Sequence, residues 1–324
     1  VKKFYSFLLV LLLSFGVLAG CGQSDSNDGA KKKENPQTVE TEKAEFPVTI
    51  KDASDKEVVI EKKPERIVSL IPSNTEIAFS LGLGDEVVGV SDFDTYPKEV
   101  ANKEKIGGMD FNLEKIISLN PDLVLAHGSS AHNSTEGLQQ LRDSGIKVII
   151  VNDAKSFEEV YNSIEMVGKA TGEVKKSKEI ISDMKGKIAN IKEKAAEITE
   201  DEMKTVYVEV SPAPEMFTTG KNTFMNEMLE IINANNMAGN LDGWVKIDQE
   251  AIIKKNPDVI ITTYGYYTED PAGQVLSRDG WKDINAVKNK QVFDVHSEIV
   301  TRSGPRLAEG VEELANAIYP EVFK

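Results

Sequence analysis

Two glutamates, Glu114 and Glu250, occupy the same place in two copies of one segment. The first copy runs from Asn112 to Ala126 and the second from Asp248 to Thr262. Glu114 aligns with Glu250, and Asn120 with Asn256, at a constant offset of 136 residues. Each copy has the pattern of a short helix, a stop at Asn120–Pro121 or Asn256–Pro257, and a buried strand. A carboxylate in the first turn of a helix is stabilised by the macrodipole by about 0.3–1 kcal/mol. Asn112 and Asp248 are suitable N-caps for these helices. Those effects account for each acid alone. They do not account for the same acid on matching faces of two similar lobes, which suits a partner carrying paired arginine sockets. The spacing is far outside the roughly 20–50-residue period of a solenoid.

The other chemistry in the chain suits binding better than turnover. The sequence contains no GxxxxGK[ST], HExxH, GxSxG or GxGxxG motif. His127, His132 and His296 are the only histidines. His127 and His132 lie near a strand end and in a polar loop, and are read as solvated loop residues rather than metal ligands. In open α/β sheets ligands bind beyond the carboxyl ends of the strands. The segments expected there carry Phe93, Tyr96, Phe217, Trp244 and Tyr264, whose rings would stack on flat faces of a large, mostly neutral ligand. Burial of about half of them in the core is the competing reading.

The elements that must position these residues alternate strand and helix. Phe46 to Ile60 alternates weakly, as in a small edge hairpin. Strands are expected at Arg66–Ile71, Val87–Val90, Leu123–Ala126 and Ile146–Val151. Ser73 to Glu76 has the form of a capping box for a helix from Ile77 to Leu81. Helices follow at Thr135–Ser144 and Ser156–Ala170. From Glu173 to Ile198 there is no proline and a helical spacing of apolar residues, which predicts one helix of about seven turns. It falls between the two copies, as a rigid strut would. Lys204–Ser211 echoes Arg66–Ser73. A helix at Thr223–Ile232, a loop at Asn235–Val245, a helix at Gln249–Lys255 and strands at Val259–Thr263 and Gln291–Val295 follow, closed by a helix at Gly304–Ile318. This order predicts an α/β fold of two similar lobes, each a mainly parallel sheet with flanking helices, joined by one long rigid helix.

The chain has 324 residues and a formal net charge of −15. Residues 1–20 hold Lys2 and Lys3 and no acid, so the remainder carries −17. Such an excess repels nucleic acid and permits an acidic face toward a basic partner. After Lys2 and Lys3 comes an apolar run from Phe4 to Ala19, shorter than the ~20 residues of a spanning helix and ending in small residues, as in a secretory signal. Leu18 to Cys21 resembles a bacterial lipobox, in which the cysteine is lipidated. Cys21 is the only cysteine, so acylation would use it up and anchor the protein. Gln23 to about Glu45 is too polar to fold and is expected to be a tether. The expected domains are a signal peptide at 1–20, a tether at 21–45, an N-terminal lobe at 46–171, an inter-lobe helix at 172–200 and a C-terminal lobe at 201–324.

Several stretches carry a family resemblance. They are Ser69–Phe79, Val90–Pro97, Asn112–Glu114 with Asn120–Val124, Phe217–Lys221, Trp244 before Glu250, and Arg302 with Pro305–Arg306. From Arg66 to the C-terminus the chain resembles the substrate-binding lipoproteins of ABC importers that serve cobalamin, siderophores and haem. Within that class the similarity is to the vitamin B12-binding proteins. The resemblance implies that Glu114 and Glu250 dock on a permease, and that Phe93, Trp244 and Phe217 contact a corrin. It implies a ligand-side acid and arginine at Glu298 and Arg302. A tryptophan that it implies just before Asn112 is replaced by Gly108, near Met109. The expected function is capture of cobalamin, or alternatively of a ferric siderophore for which Arg302, Arg306 and Tyr264–Tyr267 would supply contacts. No resident cofactor, metal site or enzymatic activity is expected. The expected partners are the permease and its ATPase subunits. The expected state is a monomer held by lipid on the extracytoplasmic face of the cell membrane.

Overall fold

The computed structural model describes residues 46–324. The expected signal segment, Cys21 and the tether lie outside the described residues. The chain begins with an antiparallel hairpin, β1 (Val48–Lys51) and β2 (Glu57–Ile60). There follow β3 (Ile67–Ser69), α1 (Pro72–Ser80), β4 (Val87–Val90), β5 (Glu104–Lys105), α2 (Leu113–Ser118), β6 (Leu123–His127), α3 (Gly128–Ala131), α4 (Thr135–Asp143), β7 (Lys147–Val151) and α5 (Phe157–Thr171). Five strands form one parallel sheet in the order β5-β4-β3-β6-β7.

The joining helix is α6 (Val174–Ala195). The second lobe contains β8 (Thr205–Glu209), β9 (Phe217–Thr219), α7 (Phe224–Ile231), β10 (Asn235–Asn236), β11 (Trp244–Lys246), α8 (Gln249–Lys255), β12 (Val259–Thr262), α9 (Pro271–Leu276), α10 (Asn285–Lys288), β13 (Val292–Asp294), α11 (Ser297–Thr301), α12 (Leu307–Ile318) and α13 (Pro320–Phe323). Its sheet is parallel, in the order β10-β8-β12-β13, with β9 and β11 as a separate antiparallel ribbon. The fold is therefore two α/β lobes, each with a parallel sheet flanked by helices.

The sheets are covered on both faces, which is why their strands are continuously apolar. Val68, Val124 and Val148 pack with Ile116 and Leu141 on one face of the first sheet. Tyr207, Ile260 and Trp281 pack with Ile252 on one face of the second. The remaining faces share a single core. It runs from Leu123 and Val160 through Met184, Ile188 and Ile191 of α6 to Val206, Met228 and Leu314. The joining helix is thus more than a strut, because one of its faces is an internal wall common to both lobes. The break before it is made by Gly172, whose left-handed φ of 81° caps α5.

Two local expectations are corrected. Ser73 to Glu76 is not a capping box: α1 already begins at Pro72, which is favourable at a first helical position, and Ile71 makes no side-chain cap. The polar side chains face inward instead. Asn74 donates to the carbonyls of Leu125 and Ala126, and the Thr75 hydroxyl donates to Ser69. Asn235–Val245 is not a plain loop, since β10 and β11 lie at its two ends.

Gly186 is the one interior glycine of α6, and a Cβ built there meets nothing within 4 Å. Replacing it with alanine removes a backbone-entropy cost of about 0.5–1 kcal/mol. Gly186→Ala is expected to raise the unfolding free energy by that amount, read as a higher urea midpoint at an unchanged m-value.

Candidate functional site

The loops leaving the carboxyl ends of β3, β4 and β13 meet across the two lobes. Glu76, in α1 after β3, is only 1% exposed. It accepts from Arg302 Nη1 at 3.0 Å, from Arg306 Nη2 at 2.6 Å and from Arg306 Nε at 3.0 Å. Glu298 pairs with Arg302 at 2.9 Å and with Arg306 at 3.2 Å. Thr95, after β4, accepts from Arg302 Nη2 at 2.8 Å and donates to Glu298. The guanidinium of Arg306 also lies 3.6 Å from the ring centre of Tyr96, a cation–π contact. Two acids and two arginines thus form a closed, neutral set linking the lobes.

The environment fixes these charges. Burial alone pushes the Glu298 carboxyl up, but the Thr95 hydrogen bond and the two arginines hold it below the usual range. Burial alone would lower Arg306, but its hydrogen bonds to Glu76 and Glu298 and their charges hold it above its ordinary value.

Aromatic side chains are the other feature of the loops beyond the strand ends. Six are exposed among the described residues: Phe93, Tyr96, Phe217, Trp244, Tyr266 and Tyr267. All six lie on segments that follow the carboxyl ends of β4, β8, β10 or β12. Each group has a support. The Phe93–Tyr96 loop is pinned by a 2.6 Å bond from Ser91 to Asp94, whose carboxyl burial pushes up, and by Lys105 donating to the carbonyls of Ser91 and Asp94. Phe217 and Trp244 sit on the paired strands β9 and β11, with the Trp244 ring 5.8 Å from buried Phe224 at a steep angle. Tyr266 and Tyr267 pack edge-on, with ring centres 4.7 Å apart. A Cβ at 108 would lie 3.1 Å from the Phe93 ring, so a larger side chain there requires that exposed ring to shift.

Tyr264 is placed otherwise than expected. It is fully buried and donates to Glu209 at 2.5 Å. Glu209 is itself buried and held by Arg278 through two bonds of 2.7 Å. Burial and the Glu209 charge raise the Tyr264 pKa. Its ring therefore anchors the aromatic loop, and Tyr266 and Tyr267 are the rings left exposed. His127 is likewise not a solvated loop residue. It is 4% exposed at the end of β6, its Nδ1 is 2.8 Å from the Ser129 hydroxyl, and burial lowers its pKa.

The two repeated helices behave as their caps require. Asn112 accepts from the Lys115 amide at 2.9 Å and Asp248 from the Ala251 amide at 2.7 Å. Glu114 and Glu250 are exposed in the first turns. Neither makes a hydrogen bond or ion pair among the described residues. The N-terminus of a helix feeding the next parallel strand lies at the carboxyl edge of its sheet. Each glutamate therefore belongs to the rim of its own lobe's site edge.

A pair of α/β lobes joined by one helix, with exposed aromatic loops beyond the strand ends, is the architecture of the solute-binding proteins that serve ABC importers. Residues 67–299 match the periplasmic binding protein family, and the chain belongs to it. The family binds solutes and does not transform them. The chain is 54% identical over 323 residues, covering 100% of this chain and 99% of the relative, to the uncharacterized ABC transporter substrate-binding lipoprotein YvrC of Bacillus subtilis. It is 28% identical over 282 residues to a cobalamin-binding protein of Halobacterium salinarum, covering 85% and 74% of the two chains. A solved structure from Staphylococcus epidermidis, described as a possible iron-binding periplasmic solute-binding protein, superposes with a TM-score of 0.71 at 40% identity, covering 80% of this chain and 100% of that one. Among the described residues no helix is long and apolar enough to cross a membrane.

Sequence reasoning named Arg302 and Glu298 but missed Glu76, which it assigned to a cap. The available signal was an acid set directly before the apolar Ile77, Ala78 and Phe79 of α1. Breaking a buried ion pair typically costs ~3–5 kcal/mol, and the arginines here keep slight exposure. Glu76→Gln is expected to destabilise the protein by about 3 kcal/mol in urea unfolding, and Glu298→Gln by clearly less.

Proposed function

We propose that this protein captures cobalamin or a related corrinoid between its lobes and delivers it to an ABC permease and its ATPase subunits. The observation that carries this reading is the combination of six exposed rings with arginines that are already neutralised. A corrinoid is large and flat and carries little net charge, so stacking suits it. A polyanionic ferric siderophore needs free cations, and Glu76 and Glu298 occupy Arg302 and Arg306. The similarity to the Halobacterium salinarum protein supports the same ligand. In this reading Phe93, Tyr96, Phe217 and Trp244 contact the ligand, with Glu298 and Arg302 at its edge. The lobes are 46–171 and 201–324, flanking the helical segment 172–200. Acylated Cys21 holds the monomer on the extracytoplasmic face, and Glu114 and Glu250 meet basic residues of the permease.

An iron chelate is the second reading. The likeness to the Staphylococcus epidermidis structure favours it, as do the exposed phenols of Tyr266 and Tyr267.

Trp244 is 43% exposed and Trp281 is fully buried. Cyanocobalamin is expected to quench tryptophan emission at sub-micromolar concentration. Trp244→Ala should weaken its binding by about tenfold, matching the upper end of the ~0.5–1.5 kcal/mol of an aromatic contact. Quenching by a ferric siderophore, with none by cyanocobalamin, selects the second reading. For docking, Glu114→Lys with Glu250→Lys should abolish uptake while leaving ligand affinity intact. Normal uptake by that double variant would remove the role assigned to both acids.

A further inference from the structure

The carboxyl edge of the first sheet holds a recess that stacking on the exposed rings does not explain. Its volume is about 90 Å³. Its walls include Leu70, just beyond β3, with buried Ala126 of β6 and buried Leu138 of α4. Phe93 and Met109 line it and are exposed, so they mark its mouth. The polar lining is uncharged and consists of three serines, Ser129, Ser130 and Ser134. At roughly 30 Å³ per water there is room for about three waters. That is too little for an aromatic ring and enough for a short stem ending in a small polar group.

The three hydroxyls are not equally occupied. The Ser129 hydroxyl is 2.8 Å from Nδ1 of His127. Ser130 donates to the His127 carbonyl across a long 3.4 Å. Ser134 precedes α4 but makes no cap bond, and its side chain makes no other hydrogen bond among the described residues. An apolar group placed here would expel water and leave hydroxyls without partners. A carboxylate would lose its own water with no cation to meet it. No charged side chain lines the recess, and burial lowers the pKa of the adjoining His127 imidazole. A neutral group that both donates and accepts satisfies the hydroxyls without burying a charge. A primary carboxamide on a short alkyl stem has that chemistry.

We propose that this recess is a subsite for one peripheral carboxamide arm of the ligand, and that it rejects the same arm as a carboxylate. Corrinoids carry such amides around the edge of the ring. The exposed aromatic side chains read the flat face, which a partly hydrolysed corrinoid shares with the intact one, so they do not make this distinction. Selection against the acid form comes from a site that offers hydroxyls and withholds cations. The inference rests on the corrinoid reading and adds to it a residue that sets specificity, Ser134.

The test titrates the full-length lipoprotein at neutral pH, with tryptophan emission as the readout. The ligands are cyanocobalamin and a panel of its monocarboxylates, each with a different peripheral amide hydrolysed. One panel member is expected to bind at least about tenfold more weakly than cyanocobalamin, with the others close to it. Ser134→Lys supplies a cation at the recess and should reverse that order, so that the rejected member binds more tightly than cyanocobalamin. Ser134 is part-exposed and its hydroxyl is unbonded, so the thermal midpoint should be unchanged. Ser130→Lys repeats the test from α3, and whichever variant keeps the wild-type midpoint decides it. Equal affinities, uniform weakening across the panel, or a rejected member whose rank the lysine leaves unchanged overturns the subsite and leaves corrinoid binding in place. Failure of cyanocobalamin itself to bind overturns the corrinoid reading, and the subsite falls with it.

Discussion

The buried carboxylate of Glu76 is the constraint on which the site depends. It comes from the first lobe and is almost wholly removed from water, and both of its guanidinium partners come from the second. A carboxylate in that position is tolerable only while its cations stay with it. Glu298 and Thr95 then satisfy the outer sides of the same guanidiniums. The result is a polar clasp at the site edge, while the shared apolar core through α6 joins the lobes behind it. The lobes are thus held at two places of opposite chemistry, one ionic and one apolar.

This arrangement explains how loops can carry a defined site. Phe93 and Tyr96 are fixed by Ser91, Asp94 and Lys105, and Tyr96 is further covered by Arg306. Phe217 and Trp244 ride on a two-stranded ribbon. The loop bearing Tyr266 and Tyr267 is tethered through Tyr264 to the Glu209–Arg278 pair, whose guanidinium in turn lies 4.2 Å from the Trp281 ring centre. Each exposed ring therefore stands on a buried polar or aromatic support. Ordering a stacking surface before the ligand arrives lowers the entropy cost of binding.

Much of this was legible in the sequence because periodicity and punctuation are local. The strands β3, β4, β6, β7, β8, β12 and β13 and the repeated helices with their Asn112 and Asp248 caps follow from residues close in sequence, whereas the two-residue edge strands β5 and β10 do not. Three side chains are misplaced for a common reason. Ser73 to Glu76 has the spacing of a capping box, but its hydrogen bonds go to β6 and to arginines more than 220 positions away. Tyr264 has the look of a ligand-facing ring, and only the fully buried Glu209, 55 positions earlier, shows why it turns inward. His127 is at a strand end, where exposure is common, but here the chain folds over it. Long-range polar partners leave no trace in local pattern.

The core that runs unbroken through α6 has a consequence for signalling. Many receptors report that they are loaded by swinging two halves together about a hinge. A molecule whose halves share packed side chains along the connecting helix has little freedom to do so, since interiors at crystal-like density resist shear. On the proposed reading, an importer would sense small adjustments in the spacing of the two rims, or the cargo itself exposed between them.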